Sequence, residues 1–224
     1  MAEWITLDTH YGAVRAWHAQ PEGKPRGGLV IIQEIFGANA HIRGVAEHYA
    51  ARGYAVLAPS FFDLLGEPPA PAPLELPYDK DGVQAGLEAV NALGVEKALS
   101  VVRAAATRLA PAGKVGTVGY CWGGTIALLA ALRLGLPSAS YYGARNVSYL
   151  DEAPKAPVIF HFGAQDASIP PDAVQAHREK LPQMATWVYP ADHAFNREVG
   201  HAYDPDSAAL ALQRTLDFFE EHLG

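Results

Sequence analysis

Along the chain, apolar runs of strand length alternate with amphipathic stretches of helix length. The run GGLVIIQ (27–33) is continuous and β-branched, the mark of a strand covered on both faces. HIRGVAEHYAARG (41–53) has helical period and closes on a glycine, and YAVLAP (54–59) is the next short strand. Ahead of both, GAVRAWHA (12–19) alternates small or apolar residues with polar ones and predicts an exposed, antiparallel edge strand. GEPPAPAPLELP (66–77) holds five prolines, which exclude regular structure and predict a stiff surface loop. The period is helical again from Val83 to Leu109, with a break expected near Gly94. KVGTVGY (114–120) predicts a strand and WGGTIALLAALRLG (122–135) an apolar helix. Three short strands follow at 138–143, 157–163 and 186–190, with a helix at 172–181 between the last two. A helix over 204–223 closes the chain, with Asp204, Asp206 and Ser207 as candidate N-caps.

Strands separated by helices are βαβ units, and short buried strands imply a mostly parallel sheet with helices on both faces. No repeat or linker breaks the pattern, so residues 1–224 are expected to form a single α/β domain, the Pro-rich stretch being a loop insertion.

Composition narrows the function. With 224 residues, 50% hydrophobic and 18% charged, the chain can bury a sizeable core without staples. Its single cysteine excludes an intramolecular disulfide and a cysteine-based zinc cluster. Acidic residues outnumber basic ones 24 to 17, for a net charge of -7, and the Lys and Arg residues are scattered. That argues against a nucleic acid and for a small-molecule partner. The start MAEWITLDTH lacks a basic segment followed by an apolar run, and no stretch approaches ~18 uninterrupted apolar residues. No secretory signal and no membrane span are expected, hence a cytoplasmic protein, monomeric or weakly dimeric. No H-E-x-x-H or comparable ligand spacing occurs, so neither a metal nor another cofactor is expected.

The lone cysteine lies in GYCWGG (119–124), between a predicted strand and a predicted helix. A free cysteine is commonly a small buried hydrophobe. Here the context is that of a G-x-nucleophile-x-G elbow, the tight turn that lifts a nucleophile above a sheet. Gly119 and Gly123 are the positions where a side chain would clash as strand folds back on helix. Cys121 then stands at a helix N-terminus, where backbone N–H groups and the helix dipole favour a thiolate and can hold an oxyanion. In this fold the order along the chain is nucleophile, acid, histidine, each on a loop after a strand. Asp166 in FGAQDASIP and His193 in YPADHAF fall where that order requires. Asp166 capping a turn is the alternative. Asp172 is expected to cap the helix it precedes, and Asp192 adjoins His193 too closely to reach its Nδ1. His41, His48, His177 and His222 lie on predicted helices as surface residues, while His10, His18, His161 and His201 lack a matching loop.

With QEIFG (33–37), GYAVLAPSFF (53–62), GYCWGG, GAQD (163–166) and HAFNR (193–197), the chain resembles the dienelactone hydrolase family, the cysteine-using branch of the α/β-hydrolases. The resemblance spans nearly the whole length and implies that fold. It implies a hydrolase of small esters or lactones that works through a cysteinyl acyl-enzyme. Cys121 matches the family nucleophile and Asp166 and His193 its acid and base. Glu34 matches a glutamate that takes the thiol proton when substrate binds, which spares the thiol from standing as an oxidisable thiolate. Read locally, Glu34 ends a buried strand, a costly place for a carboxylate, and a salt bridge to Arg43 or Arg197 is the alternative. The resemblance makes the N–H groups of Ile35 and Trp122 the oxyanion hole. It makes Arg197 the group that binds a substrate carboxylate; a solvated surface arginine is the alternative.

The family draws a second basic residue and an aromatic from the segment that here is Pro-rich, and no Arg occurs from Phe61 to Val102. Tyr78 and Lys80 are the residues available there, and Tyr78 is taken as the substrate-binding aromatic. The rival functions are an esterase or thioesterase for a larger substrate, and a non-hydrolytic binder or thiol redox sensor on the same fold. A sensor usually wants a resolving cysteine, which the chain lacks.

Overall fold

Every residue of β3 (Gly28–Ile32) and β4 (Ala55–Pro59) is buried in the computed structural model, which describes residues 2–66 and 72–224. Helices α1 (Ala40–Ala50) and α2 (Lys80–Leu109) both pack on these strands, giving the two-sided cover their apolar runs require. Leu29, Val30, Ile31 and Ile32 have no exposed surface, and each contributes roughly 1.5–3 kcal/mol of burial free energy. The remaining strands are β1 (Ala2–Thr9), β2 (Gly12–Ala19), β5 (Val115–Tyr120), β6 (Ser138–Tyr141), β7 (Val158–Gly163) and β8 (Thr186–Tyr189). Helices α3 (Trp122–Leu129), α4 (Pro171–Lys180) and α5 (Pro205–Leu223) complete the described elements, together with short 3₁₀ and π turns. The strands run in the order β1-β2-β4-β3-β5-β6-β7-β8. Pairing is antiparallel for β1–β2 and β2–β4 and parallel for β3–β4, β5–β6, β6–β7 and β7–β8.

The chain divides into two compact units, residues 1–116 with Leu223 and residues 117–222 with Gly224. In the first, β2 is antiparallel as expected but is not an edge. It pairs on both sides, and the edge is β1, which the sequence pattern did not predict. Among the eight residues of β1 only Leu7 is buried, so the strand carries no apolar face to recognise. Helix α2 begins on Asp79, whose side chain accepts from Gly82 N–H at 2.8 Å, and it breaks at Gly94 (φ 72°) as anticipated. After β4 the 3₁₀ turn Phe61–Leu65 is tied to β2 through Asp63, which accepts from Arg15 N, Nε and Nη2 at 2.7–2.8 Å. Of the Pro-rich stretch 66–77, residues 67–71 lie outside the described residues; 72–77 take no regular structure.

In the second unit α3 widens into a π turn over Ala130–Leu134 and stops on Gly135 in the left-handed region. Asp204 caps α5, accepting from Ser207 N–H at 2.8 Å. Two expectations need correction. Asp172 is not a cap: the N-cap of α4 is Pro170, and Asp172 stands in the first turn with Oδ1 accepting from Ala173 N–H. His177 is not a surface residue but is fully buried, edge-on to Phe160 and Phe162, because it shares with Val174 the helix face turned to the sheet. Burial holds its imidazole below the ordinary range, against a hydrogen bond to the Ala173 carbonyl that favours the charged form.

Candidate active site

Close approach at the elbow bears out Gly119 and adds Gly124, which was not singled out in the sequence. A Cβ on Gly119 would strike the Gly123 carbonyl, and one on Gly124 would lie 2.5 Å from the Tyr141 carbonyl oxygen and 3.1 Å from Gly143 Cα. Cys121 follows the last residue of β5 with φ 56° and ψ -117°, and is the N-cap residue of α3. Its N–H donates to the Tyr141 carbonyl at 3.0 Å, and its carbonyl accepts from Gly124 N–H at 2.9 Å. Positive φ at a non-glycine residue costs energy and persists only where the surroundings dictate it. Three such residues occur among those described: Cys121, Tyr142 (φ 39°) and Ala194 (φ 62°). The second lays its ring 5.0 Å from that of His193, and the third is the next residue after it. The strain therefore gathers around one group of side chains.

Asp166 and His193 arrive on the loops after β7 and β8. Gly163 lets those loops meet: a Cβ there would strike the Ala191 carbonyl and lie 2.8 Å from that of Asp192. The loops are cross-tied by Ala164 N–H to the Tyr189 carbonyl at 2.7 Å and Gln165 N–H to the Ala191 carbonyl at 2.9 Å. Gly163→Ala is therefore expected to push them apart, costing about 1–3 kcal/mol and lowering the melting temperature by ~2–4 °C per kcal/mol. A melting curve beside an activity assay checks it: unchanged values for both would contradict this packing.

His193 Nδ1 meets Asp166 Oδ2 at 2.6 Å, and the other oxygen, Oδ1, accepts from Ser168 N–H at 2.8 Å. Asp166 thus makes its turn and holds the histidine at once, one oxygen to each. Its side chain has no exposed surface, against 26% for His193. Asp192 bonds instead to the His193 main-chain N–H, at 2.6 Å. Cys121, half-buried, hydrogen-bonds to His193 and interacts with it electrostatically. Burial of His193 works against its charge, but the bonds to Asp166 and Cys121 outweigh it and raise the imidazole to about 10.

That shift fixes a sign for stability. A group whose pKa rises from 6.5 to about 10 on folding stabilises fully below 6.5, and its contribution fades as pH climbs toward 10. The melting-temperature advantage of the wild type over His193→Gln should therefore shrink steadily between pH 6.5 and 10. A gap that widens over this window would contradict the assignment.

The other predicted residues belong to the first unit, except Trp122 and Arg197. Glu34 lies two residues beyond β3 and is 1% exposed. The loop that carries it is tightly held. Gln33, fully buried, donates to the Glu34 carbonyl at 3.2 Å and accepts from Phe61 N–H at 3.2 Å. The Phe36 carbonyl accepts from Leu76 N–H at 3.0 Å, and Asn39 caps α1. A Cβ on Gly86 would strike the Ile35 carbonyl, so α2 presses directly on the residue whose N–H is the expected oxyanion donor. Arg43, an expected alternative partner of Glu34, pairs with Glu75 at 2.5 Å. Tyr78 is half-buried; its hydroxyl accepts from Asn39 Nδ2 at 2.8 Å and its ring meets Phe36 edge-on. Lys80, at the start of α2, is exposed. Trp122 is buried at the first position of α3. Arg197 is half-buried and donates from Nε to the Val199 carbonyl at 3.0 Å within its own loop.

The sequence reading passed over Tyr142, Gly163 and the buried His161. Tyr142 betrays itself only through a backbone angle that composition does not encode. Gly163 is the last residue of a continuous strand and precedes the acid loop, which is a readable signal of close backbone approach. Among the described residues no cluster of three His, Cys, Asp or Glu side chains has the grouping of a metal site, and no helix is long and apolar enough to cross a membrane.

The model of the dienelactone hydrolase family matches residues 14–223. Carboxymethylenebutenolidases of Pseudomonas putida and Pseudomonas knackmussii are each 31% identical, over 97% of this chain and 96% of theirs. A crystal structure from Klebsiella pneumoniae superposes with a TM-score of 0.83 at 28% identity, covering 98% of both chains. A dienelactone hydrolase-like promiscuous phosphotriesterase from metagenomic libraries shares the fold, with a TM-score of 0.76 at 21% identity.

Proposed function

Because the chain belongs to the dienelactone hydrolase family, we propose that it cleaves a small ester or lactone through a cysteinyl acyl-enzyme. The observation that carries this reading is the unbroken line Asp166–His193–Cys121, with a 2.6 Å bond at one end and thiol–imidazole contact at the other. The Cys121 thiolate attacks the substrate carbonyl and forms a tetrahedral oxyanion, for which the Ile35 and Trp122 N–H groups are the donors. Collapse breaks the C–O bond, and His193 gives its proton to the leaving oxygen. The neutral imidazole, its Nδ1–H held by Asp166, then takes a proton from water as the water attacks the thioester, and Cys121 is released. Thiolates expel alkoxide or enolate oxygen more readily than amide nitrogen, which favours activated esters and lactones over peptides.

Glu34 takes the thiol proton when substrate arrives and returns it to Cys121 once the thiolate is released, and Arg197 binds a substrate carboxylate. Supporting the first is a carboxylate 1% exposed on a loop that Gln33 and Phe36 hold through hydrogen bonds to Phe61 and Leu76. The name of the relatives, carboxymethylenebutenolidase, supports a lactone substrate, so a dienelactone is the first compound to assay.

The test is hydrolysis of p-nitrophenyl acetate and of a dienelactone by wild type and Cys121→Ala. Turnover of both that vanishes in the variant is the expected result. Wild-type turnover that survives Cys121→Ala would remove the thiol from the mechanism. Glu34→Gln should lower activity by about 10²–10⁴-fold at neutral pH, the range of a lost proton-transfer group. An unchanged rate would return Glu34 to a structural role.

A further inference from the structure

β7 brings to the base of this site a side chain that the mechanism does not use. His161 is fully buried, and both ring nitrogens are engaged: Nδ1 with the Tyr189 hydroxyl at 2.8 Å, and Nε2 with Thr215 Oγ1 at 3.0 Å. The proton positions follow from counting donors. Thr215 gives its one hydroxyl proton to the Ala211 carbonyl at 2.8 Å, so its oxygen accepts from both neighbours, the Tyr141 hydroxyl at 2.7 Å and His161 Nε2–H. In the neutral ring His161 Nδ1 is the acceptor, and Tyr189 O–H donates to it. Arg214 completes the chain by bonding to the Tyr189 hydroxyl, with its guanidinium 3.8 Å from the Trp187 ring centroid. The imidazole is neutral, since burial and the Arg214 charge lower it to about 3.

Three tyrosines joined to His161 each reach one part of the nucleophile–histidine–acid line. The Tyr141 carbonyl receives the Cys121 N–H, and the Tyr141 ring lies 4.3 Å from that of His161. The Tyr189 carbonyl receives the N–H of Ala164, on the acid loop, and that of Ala191, on the histidine loop. The His161 carbonyl receives the N–H of Tyr142, whose strained backbone turns its ring onto His193. Phe195, two residues beyond His193, packs against Tyr141, Tyr142 and Tyr189 together.

We infer that His161, as the neutral Nε2–H tautomer, is a positioning residue that fixes Cys121, Asp166 and His193 in mutual register through Tyr141, Tyr189 and Tyr142. The inference rests on the thiol-hydrolase reading for its effect on turnover. Buried networks of this kind specify one arrangement only when every member is satisfied. A catalytic group displaced by ~1 Å can cost about 10²-fold in rate.

The experiment compares His161→Phe, Tyr189→Phe and Thr215→Val with wild type and Cys121→Ala. It measures kcat and KM for p-nitrophenyl acetate, melting temperature, and the pH profile of Cys121 alkylation by iodoacetamide. His161→Phe should lower kcat about 100-fold with KM nearly unchanged, and should displace the alkylation profile, because that profile reads the thiol–imidazole pair directly. Tyr189→Phe and Thr215→Val should each cause a smaller loss of the same kind; they carry the test if His161→Phe does not fold. Variants that melt lower yet keep the wild-type kcat and alkylation profile would overturn the inference, since a merely structural residue behaves in that way. Full activity in Cys121→Ala would instead overturn the thiol mechanism, and the alkylation profiles would still decide the role of His161.

Discussion

Cys121→Ala is expected to reduce kcat for an activated ester by on the order of 10⁵–10⁶-fold, leaving the ~10³–10⁴-fold acceleration that oxyanion donors and binding alone supply. The size follows from the mechanism: without sulfur no acyl-enzyme forms, and His193 has no nucleophile to serve. The fold should survive, because the elbow is dictated by Gly119, Gly124 and the Cys121 N–H bond to Tyr141, none of which needs the thiol. The melting curve of the variant should therefore stay cooperative while turnover collapses. A variant keeping even a tenth of the wild-type rate would mean that another group attacks the substrate.

Asp166→Asn should cost about 10⁴-fold in kcat, the effect of imposing the wrong imidazole tautomer. The reason is local. Oδ1 of Asp166 accepts from Ser168 N–H and Oδ2 from His193 Nδ1–H. An asparagine must keep its oxygen toward Ser168, so its NH₂ faces Nδ1 and drives the proton to Nε2, where it points at the substrate side and cannot accept. The imidazole, held near 10 partly by the carboxylate, should fall toward its ordinary range, which NMR titration of His193 measures. A redox sensor needs no imidazole base, so loss of hydrolysis with a thiol that can still be oxidised separates a hydrolase from a redox sensor. An imidazole still titrating near 10 after the exchange would show that Asp166 does not hold the charge.

Much of this was legible in the chain itself. Continuous burial of β3 and β4 is written in GGLVIIQ and YAVLAP, and the helix break in α2 in Gly94. The elbow was readable because glycine spacing and the change from strand to helix period coincide. What escaped has a common physical cause. β1 pairs with β2 along its whole length but buries only Leu7, so its sequence carries little signal. The burial of His177 depends on which face of α4 meets Phe160 and Phe162, a tertiary fact. Tyr142 and Ala194 take positive φ under the compulsion of their surroundings, which neither tyrosine nor alanine advertises. The network through His161 joins residues as far apart as Tyr141 and Thr215, and no local pattern announces such a pairing.

The most direct measurement is intact-mass spectrometry of the protein quenched in acid within the first turnovers of p-nitrophenyl acetate, followed by peptide mapping. The account predicts a transient gain of one acetyl group on the peptide bearing Cys121, absent in Cys121→Ala and longer-lived in His193→Gln, where no base activates the deacylating water. Turnover in which the acetyl group resides on another residue, or on none under conditions that trap a known thioester, would contradict it.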